Sequence, residues 1–174
     1  MSSLVANKRV LPAGSDTTDV NDGEATVTAG NFWPVIKLAE LRLAARITGG
    51  ITTSRLMHVT TEAVAHVTSQ LLDWRAVQLS SGFHTLEDVP SVLPSGDMEK
   101  LVINDENVKV YRYRRAVYSM ARALILEGYR DVDTTAKGDK DAAALDLQRD
   151  DLWRDVRWSI ADIRDTPRLY AELC

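Results

Sequence analysis

The sequence predicts an all-α fold, roughly a four-helix bundle that follows a disordered N-terminal arm. Two observations support this fold class. Apolar residues recur every three or four positions in four separate segments, which is the spacing of a buried helix face. Turn-forming residues separate these segments, and no segment alternates convincingly with the period of two that a half-exposed strand shows. We find no internal repeat, so one helical domain is expected.

The composition is that of an ordinary globular protein. The 174 residues are 45% hydrophobic and 26% charged, and this length suits one domain without a stabilising disulfide or metal. A net charge of −4 provides no general attraction for nucleic acid. The single cysteine, Cys174, excludes an intrachain disulfide and a cysteine-based zinc site. No apolar run reaches the ~20 residues of a membrane helix, so we expect no membrane partner.

Residues 1–30 are expected to form the flexible arm, and residues 31–174 the helical domain. The arm is rich in Ser, Thr, Asp, Asn and Gly and lacks a sustained apolar period. Such a segment buries too little apolar surface to offset the entropy that it loses on ordering. Two alternatives stay open: an arm that remains disordered, and an arm that orders on a partner.

The first predicted helix carries apolar residues at helical spacing over Ile36–Ile47 and ends at Gly49–Gly50. Its buried stripe is predicted to contain Ile36, Ala39, Leu43 and Ile47. A second, longer helix is predicted to reach about Ser80, with Thr52 or Thr53 as its N-cap. The stripe of this helix is predicted to contain Leu56, Val59 or Ala63, Val67, Leu71, Trp74 and Val77 or Gln78.

The segment 83–103 is predicted to be an irregular connection, because it contains two prolines and a glycine among short apolar pieces. Within it, residues 98–103 are either a short strand or irregular. A third helix is expected to begin at a cap, Asn104 or Asp105, and to run to about Tyr129. Its buried side is predicted to contain Val108, Tyr111, Ala116, Met120, Ala123 and Leu124.

A polar linker, residues 131–138, precedes a fourth helix that Asp139 is suited to cap. This helix is expected to end before Asp165–Pro167. Its stripe is predicted to contain Ala142, Leu145, Arg149, Leu152, Val156, Ile160 and Ile163. Elsewhere on the helix acidic and arginine residues interleave, which permits ion pairs four residues apart such as Asp150–Arg154. This pattern indicates a solvated, salt-bridged helix face and not acid–base chemistry.

The sequence contains no convincing catalytic or metal-binding constellation. His58, Glu62 and His66 share a helix, but eight residues separate the histidines by about 12 Å along its axis, too far to share one ion. His84 follows two serines without any resemblance to a nucleophile elbow. We therefore expect neither an enzyme nor a cofactor.

The third helix carries a weak signal for nucleic-acid binding. Four cations interleave with tyrosines at its start: Lys109, Arg112, Arg114 and Arg115. At 100° per residue these cations are distributed around the helix and do not form one stripe, so part of the set must be solvated or paired with acids. A helical DNA-binding or regulatory module is the alternative function.

The most unusual stretch of the chain contains Trp153 and Trp158 near arginines. The two tryptophans lie about 140° apart around a helix, so both flank the predicted apolar stripe. Arg154–Trp158 and Arg149–Trp153 are spaced for cation–π contacts. Two interpretations stay open: tryptophans at the boundary of the core, or a Trp/Arg-rich surface for another subunit.

The chain resembles a known family in a set of short motifs. These are Gly82-Phe83, Leu86, Asp88-Val89-Pro90, Tyr113, Arg115-Ala116-Val117, Ala121, Tyr129-Arg130, Val132-Asp133, Ala136-Lys137-Gly138-Asp139-Lys140, Leu152-Trp153-Arg154-Asp155, Arg157-Trp158 and Pro167-Arg168. With these motifs the chain resembles the head completion, or head stabilisation, proteins of contractile-tailed bacteriophages (the GpL family). The run 136–158 is the most specific, and residues 1–30 show no visible match.

The resemblance implies a structural virion protein with an adaptor-like helical fold. Such a protein would join the DNA-filled head beneath the portal after packaging, stabilise the genome and offer a docking surface for neck or tail completion proteins. It implies a ring, expected to be a dodecamer, that contacts the portal protein and touches packaged DNA non-specifically. The resemblance also implies that the protein is located at the head–tail connector of the virion and, during assembly, in the host cytoplasm. The expected interface residues are Lys137, Lys140, Arg149, Asp150, Trp153, Arg154, Asp155, Arg157, Trp158 and Arg168.

Overall fold

The computed structural model describes residues 21–130 and 139–168. Within these residues the chain forms five α-helices, one short 3₁₀ helix and three antiparallel strand pairs. The helices are α1 (Leu38–Ala44), α2 (Thr53–Gln70), α3 (Leu72–Ser80), α4 (Val108–Arg130) and α5 (Asp139–Ile163). The strands are β1 (Thr26–Val27), β2 (Ile36–Lys37), β3 (Ser91–Val92), β4 (Met98–Glu99), β5 (Val102–Ile103) and β6 (Glu106–Asn107). The fold is mainly helical, as predicted, but the expectation of an all-α protein is wrong because of the strand pairs.

The core lies where α4 packs between α2 and α5. The side chain of Tyr113 on α4 is fully buried, and its hydroxyl is 3.0 Å from the hydroxyl of Thr68 on α2. The ring of Trp33 stacks on Tyr113 with centroids 4.9 Å apart. From α5, Val156, Ile160 and Ile163 close the core, as the sequence stripe predicts.

The strand pair β1–β2 lies partly inside the predicted arm. Thr26 pairs with Lys37, and Val27, which is buried, pairs with Ile36. Asp22 is also buried and accepts hydrogen bonds from Arg42 of α1 and from Thr53 of α2. Residues 21–30 therefore pack against the helices, and residues 1–20 lie outside the described residues.

The first helix is shorter than predicted and buries a different stripe. Ile36 belongs to β2, and Leu43 is 80% exposed, so the predicted stripe is wrong at that position. Leu38 and Leu41 are buried instead, followed by Ala45 just after the helix. The segment contains two sets of apolar residues at helical spacing. Because Ile36 pairs with β1, the helix starts later, and Leu38 and Leu41 face the core in place of Leu43.

The second predicted helix is divided into α2 and α3. Thr52 is the N-cap of α2, as predicted, because its hydroxyl accepts a hydrogen bond of 3.2 Å from the backbone N–H of Arg55. The helix ends at Leu71, which is buried, and α3 continues to Ser80. None of the α3 residues is buried, and Val77, predicted as part of the stripe, is 60% exposed. The expectation of four helices is wrong because of this division.

The connection before α4 contains two hairpins. β3 pairs with β4 and β5 with β6, so the short strand considered for residues 98–103 is present. Asn104 and Asp105 are not helix caps but the two-residue turn between β5 and β6, with φ of 51° and 59° that suit Asn and Asp. Asn107 caps α4 instead, because its Oδ1 accepts from the N–H of Lys109 at 2.9 Å.

Candidate subunit interface

The candidate interface is built on the second half of α5. Arg154 and Trp158 are four residues apart, so they lie on one side of the helix. The guanidinium carbon of Arg154 is 4.8 Å from the centroid of the Trp158 ring, which confirms the predicted cation–π contact. The guanidinium carbon of Arg168, beyond the helix, is 5.1 Å from the same ring. We call Arg154, Trp158 and Arg168 the Arg–Trp cluster.

The Arg–Trp cluster is held in place by two carboxylates. Arg154 donates to Asp151 at 2.8 Å, and Arg168 donates two hydrogen bonds to Asp162 at 3.0 and 2.8 Å. The bonds to Asp162 raise the pKa of Arg168 above its usual range. These carboxylates orient the two guanidinium groups around the indole of Trp158 and balance their charge, so the cluster presents an indole ring flanked by two guanidinium groups.

The remaining charges of this helix are paired mainly with near neighbours. Arg149 lies 3.1 Å from Asp146 and 3.0 Å from Asp150, and Asp151 takes the place of Asp150 as the partner of Arg154. Exposed pairs of this kind contribute little to stability, because solvent screens them and holding two long side chains together costs entropy. Because they are so weak, a partner can take over either member of a pair at little energetic cost.

Other expected interface residues differ in their surroundings. Asp155 pairs with Arg115 of α4 at 3.1 Å and so contributes to the contact between the two helices. Arg157 is half-buried, and no carboxylate among the described residues pairs with it. Lys137 lies outside the described residues, and Lys140 is in α5 with a side chain outside the described part.

Trp153 points towards the other helices. Its indole N–H donates to Glu127 of α4 at 3.1 Å, and its ring meets the ring of His66 of α2 edge-on at 5.5 Å. It packs against the core cluster as a half-buried residue. The two tryptophans therefore have different surroundings: Trp153 lies at the boundary of the core, and Trp158 belongs to the Arg–Trp cluster.

The four cations at the start of α4 all have carboxylate partners. The pairs are Lys109 with Asp165, Arg112 with Asp162, Arg114 with Glu106, and Arg115 with Asp155. Lys109 is fully buried. The expectation that part of this set is paired is thus confirmed, and the pairing lowers the positive charge that these residues present to DNA.

One feature of α4 was not recognised in the sequence. Tyr111, Arg114, Arg115, Tyr118 and Arg122 line a cavity of about 530 Å³ between α1, α4 and α5. Their spacing of three, four, seven and eleven residues places them on one helix face. That spacing is visible in the sequence, but our interpretation considered only the closely spaced cations at the beginning of the helix.

The described residues contain no group of three or more His, Cys, Asp or Glu side chains that converge to hold a metal ion. His66 hydrogen-bonds to Gln70 of its own helix at 2.6 Å, and His84 is exposed. In the same part of the chain, no helix combines the length and the apolar character needed to cross a bilayer.

Comparison with known proteins gives two findings. The profile of the family described as phage head completion protein (GPL) matches residues 27–174. The chain is also similar to the head completion/stabilization protein of Escherichia phage P2, with 33% identity over 172 residues that cover 97% of this chain and 96% of that protein. No solved structure matches the chain.

Proposed function

Because this chain belongs to the phage head completion protein (GPL) family, we propose that it joins the DNA-filled head beneath the portal and helps to retain the packaged genome. Family membership itself assigns a structural role in head assembly and an association with the virion, and the family is not an enzyme class. The observation that carries the proposal is the similarity over nearly the whole length to a protein whose name contains both completion and stabilization.

The Arg–Trp cluster is the proposed contact with a neighbouring protomer or with the portal protein. Trp and Arg are the residue types that contribute most often to binding energy at protein interfaces. Trp158 is half-buried between Arg154 and Arg168, both of which are exposed enough for contact with a partner. The proposal also includes a ring of twelve protomers that matches the portal. Neck or tail proteins would dock on this ring, and the ring would contact packaged DNA non-specifically.

DNA-filled heads assembled without this protein test the proposed function. We expect the purified protein to bind these heads, to add density at the portal vertex and to protect the packaged DNA from nuclease. A variant with Arg154→Ala and Trp158→Ala, folded by circular dichroism, is the matched control and should protect poorly. Heads that remain equally nuclease-sensitive and bind no protein would contradict the proposal.

A further inference from the structure

Residues 91–107, which we call the double hairpin, present an uncovered apolar surface. The segment contains the strand pairs β3–β4 and β5–β6. Five of its apolar side chains are at least 40% exposed: Val92, Met98, Leu101, Val102 and Ile103. Successive residues of a strand point to opposite faces, so Val102 and Ile103 leave both faces of the β5–β6 pair uncovered. Isolated two-stranded hairpins are marginally stable, and apolar groups exposed together in one short segment indicate a contact with another chain segment.

The double hairpin is also acidic. Three of its four acidic residues, Asp97, Glu99 and Asp105, are exposed and form no ion pair among the described residues. Its single basic residue, Lys100, lies 3.3 Å from Glu87. Both sheets have two strands, so within the described part of the chain every strand keeps one edge to which an extended peptide can add. The surface therefore favours an extended occupant that carries cations and apolar side chains.

One segment of the chain outside the described residues has these properties. Residues 4–11 have the sequence Leu-Val-Ala-Asn-Lys-Arg-Val-Leu. Two cations, Lys8 and Arg9, lie between two apolar pairs, and the segment contains no acidic residue. Its valines are residues that favour an extended strand. Residues 12–20, which join it to the described part, contain two acidic residues and no cation, so the positive charge is confined to residues 4–11. We call residues 4–11 the basic segment.

The described residues begin at the end of the molecule that is opposite to the double hairpin. Asp22 accepts a hydrogen bond of 2.8 Å from Thr53 at the start of α2. In the first turn of the same helix, the Arg55 side chain lies beside Gly128, near the end of α4. The double hairpin is attached to the other end of α4, where the backbone N–H of Val108 donates to one of its carbonyl oxygens at 2.9 Å.

This separation favours a neighbouring copy as the source of the basic segment. The helical residues between Val108 and Gly128 rise about 30 Å, so the two ends of α4 are that far apart. The chain from Leu11 to Asn21 spans at most about 33–36 Å when it is fully extended. A path within one chain would have to be almost straight, which the side chains of the helices between the two ends prevent. In a head-to-tail contact, the beginning of one copy lies beside the double hairpin of the next.

We propose that the basic segment of one copy binds the double hairpin of the next copy. Lys8 and Arg9 pair with the free carboxylates of the hairpin, and the apolar pairs of the segment cover its exposed apolar side chains. Each copy gives one segment and receives another, so the contact is heterologous, and heterologous contacts close into rings. The contact therefore rests on the proposed ring and names the surfaces that join its protomers. It does not use the Arg–Trp cluster.

Charge reversal in the purified full-length protein tests the contact. Sedimentation under reducing conditions should show that the unaltered chain associates as its concentration rises. One variant reverses the segment with Lys8→Glu and Arg9→Glu, and another reverses the hairpin with Asp97→Lys and Glu99→Lys. Each should associate about tenfold or more weakly, because like charges then meet. Asp97 and Glu99 are exposed, so helical circular dichroism should not change. Glu62→Lys, at an exposed position of α2, is the control and should associate like the unaltered chain.

Mixing the two reversed variants distinguishes exchange between copies from a contact within one chain. In an alternating assembly, each reversed segment meets a reversed hairpin, and each unaltered segment meets an unaltered hairpin. The mixture should therefore associate nearly as strongly as the unaltered chain. A mixture that stays as weak as its components overturns the proposal. Reversed variants that associate normally, or an unaltered chain that is monomeric at every concentration, also overturn it.

DNA-filled heads separate failure of this contact from failure of the proposed function. We expect each reversed variant alone to protect the packaged DNA poorly and the mixture to restore protection. Full protection by each reversed variant alone overturns the contact and leaves the proposed function intact. An unaltered chain that associates and recovers on mixing, but protects no heads, supports the contact and contradicts the proposed function.

Discussion

The ammonium group of Lys109 lies 2.7 Å from the carboxylate of Asp165 and 2.6 Å from the carbonyl oxygen of Ile163. These contacts join the beginning of α4 to the end of α5, where the helix dipole favours a cation. The Lys109 side chain is fully buried. Burial lowers the pKa of Lys109, the charge of Arg112 acts in the same direction, and the Asp165 carboxylate opposes them without restoring the ordinary value. The ion pair therefore offsets only part of the cost of burying the charge.

Removing Asp165 and removing Lys109 should change the free energy of unfolding by different amounts. Asp165→Asn leaves a buried ammonium without its counter-charge, and we expect the free energy of unfolding to fall by about 3 kcal/mol. Asn also tolerates the φ of 53° at this position, so the loss reports the charge. Lys109→Met removes the buried charge itself and should change stability by no more than about 1 kcal/mol. Urea unfolding at neutral pH measures both, and equal losses would contradict this account.

Asp22 should make stability sensitive to acid. Hydrogen bonds from Arg42 lower the pKa of Asp22 below its ordinary value of 3.8, against the opposing effect of burial, and Thr53 adds a further bond. A lowered pKa in the folded state means that the stabilisation is complete above the ordinary pKa and is lost as the pH falls through the folded value. Asp22→Asn should therefore cost about 2 kcal/mol at pH 7 and much less in strong acid.

Urea unfolding at a series of pH values checks this expectation. Asp73→Asn, on the exposed helix α3, is the matched control, and its effect should be small at every pH. A difference between Asp22→Asn and the unaltered chain that stays constant down to strong acid would show that the Asp22 charge is not responsible. The same measurement tests whether residues 21–30 contribute to the stability of the fold.

The parts of the fold that follow from local sequence were predictable. The Thr52 cap, the helix α5 and its buried residues Val156, Ile160 and Ile163 depend on spacing within one segment. The prediction is wrong at Leu145, which is 36% exposed. The break at Leu71 was not predictable, because the apolar period continues across it and only packing decides which residues are buried. β1 was missed for the same reason: two residues carry no period, and their partner strand is ten residues away.

The candidate site was predictable only where the contacts are local. The cation–π contact between Arg154 and Trp158 follows from a spacing of four residues on one helix. The contribution of Arg168 depends on how the chain turns after α5, and the inward orientation of Trp153 depends on Glu127 and His66 from other helices. No pattern within α5 contains that information, so the sequence left both interpretations of the tryptophans open.

Tyr113 should make the fold sensitive to alkali. Burial raises its pKa to about 12, although the hydrogen bond with Thr68 acts in the opposite direction. Because the unfolded chain ionises near pH 10, its tyrosine releases a proton first, and stability should fall by about 1.4 kcal/mol per pH unit between 10 and 12. Tyr113→Phe removes the hydrogen bond with Thr68, so its free energy of unfolding at pH 7 should be about 1 kcal/mol lower. This variant should also lack the part of the alkaline loss of stability that Tyr113 causes.

Unfolding curves of both proteins from pH 8 upwards give the comparison. Burial also raises the pKa of Tyr118, but this residue is present in both chains and its contribution cancels in the difference. Ultraviolet absorbance of tyrosinate, recorded on the folded proteins, should show one late-ionising group fewer in Tyr113→Phe. Identical alkaline profiles would mean that the buried hydroxyl of Tyr113 does not control the transition.

The two tryptophans of α5 should respond differently to truncation. Trp153 contacts Glu127 and His66 within the chain, so Trp153→Ala should lower the free energy of unfolding by about 3 kcal/mol. Trp158 contacts Arg154 and Arg168 at the surface, so Trp158→Ala should cost about 1 kcal/mol and leave helical circular dichroism unchanged. The order should be reversed for binding to DNA-filled heads. Trp158→Ala should lose more binding than Trp153→Ala, although the Trp158→Ala protein is fully folded. If Trp158→Ala instead unfolds the isolated chain as readily as Trp153→Ala, both tryptophans belong to the core, and the interface must be sought elsewhere on the molecule.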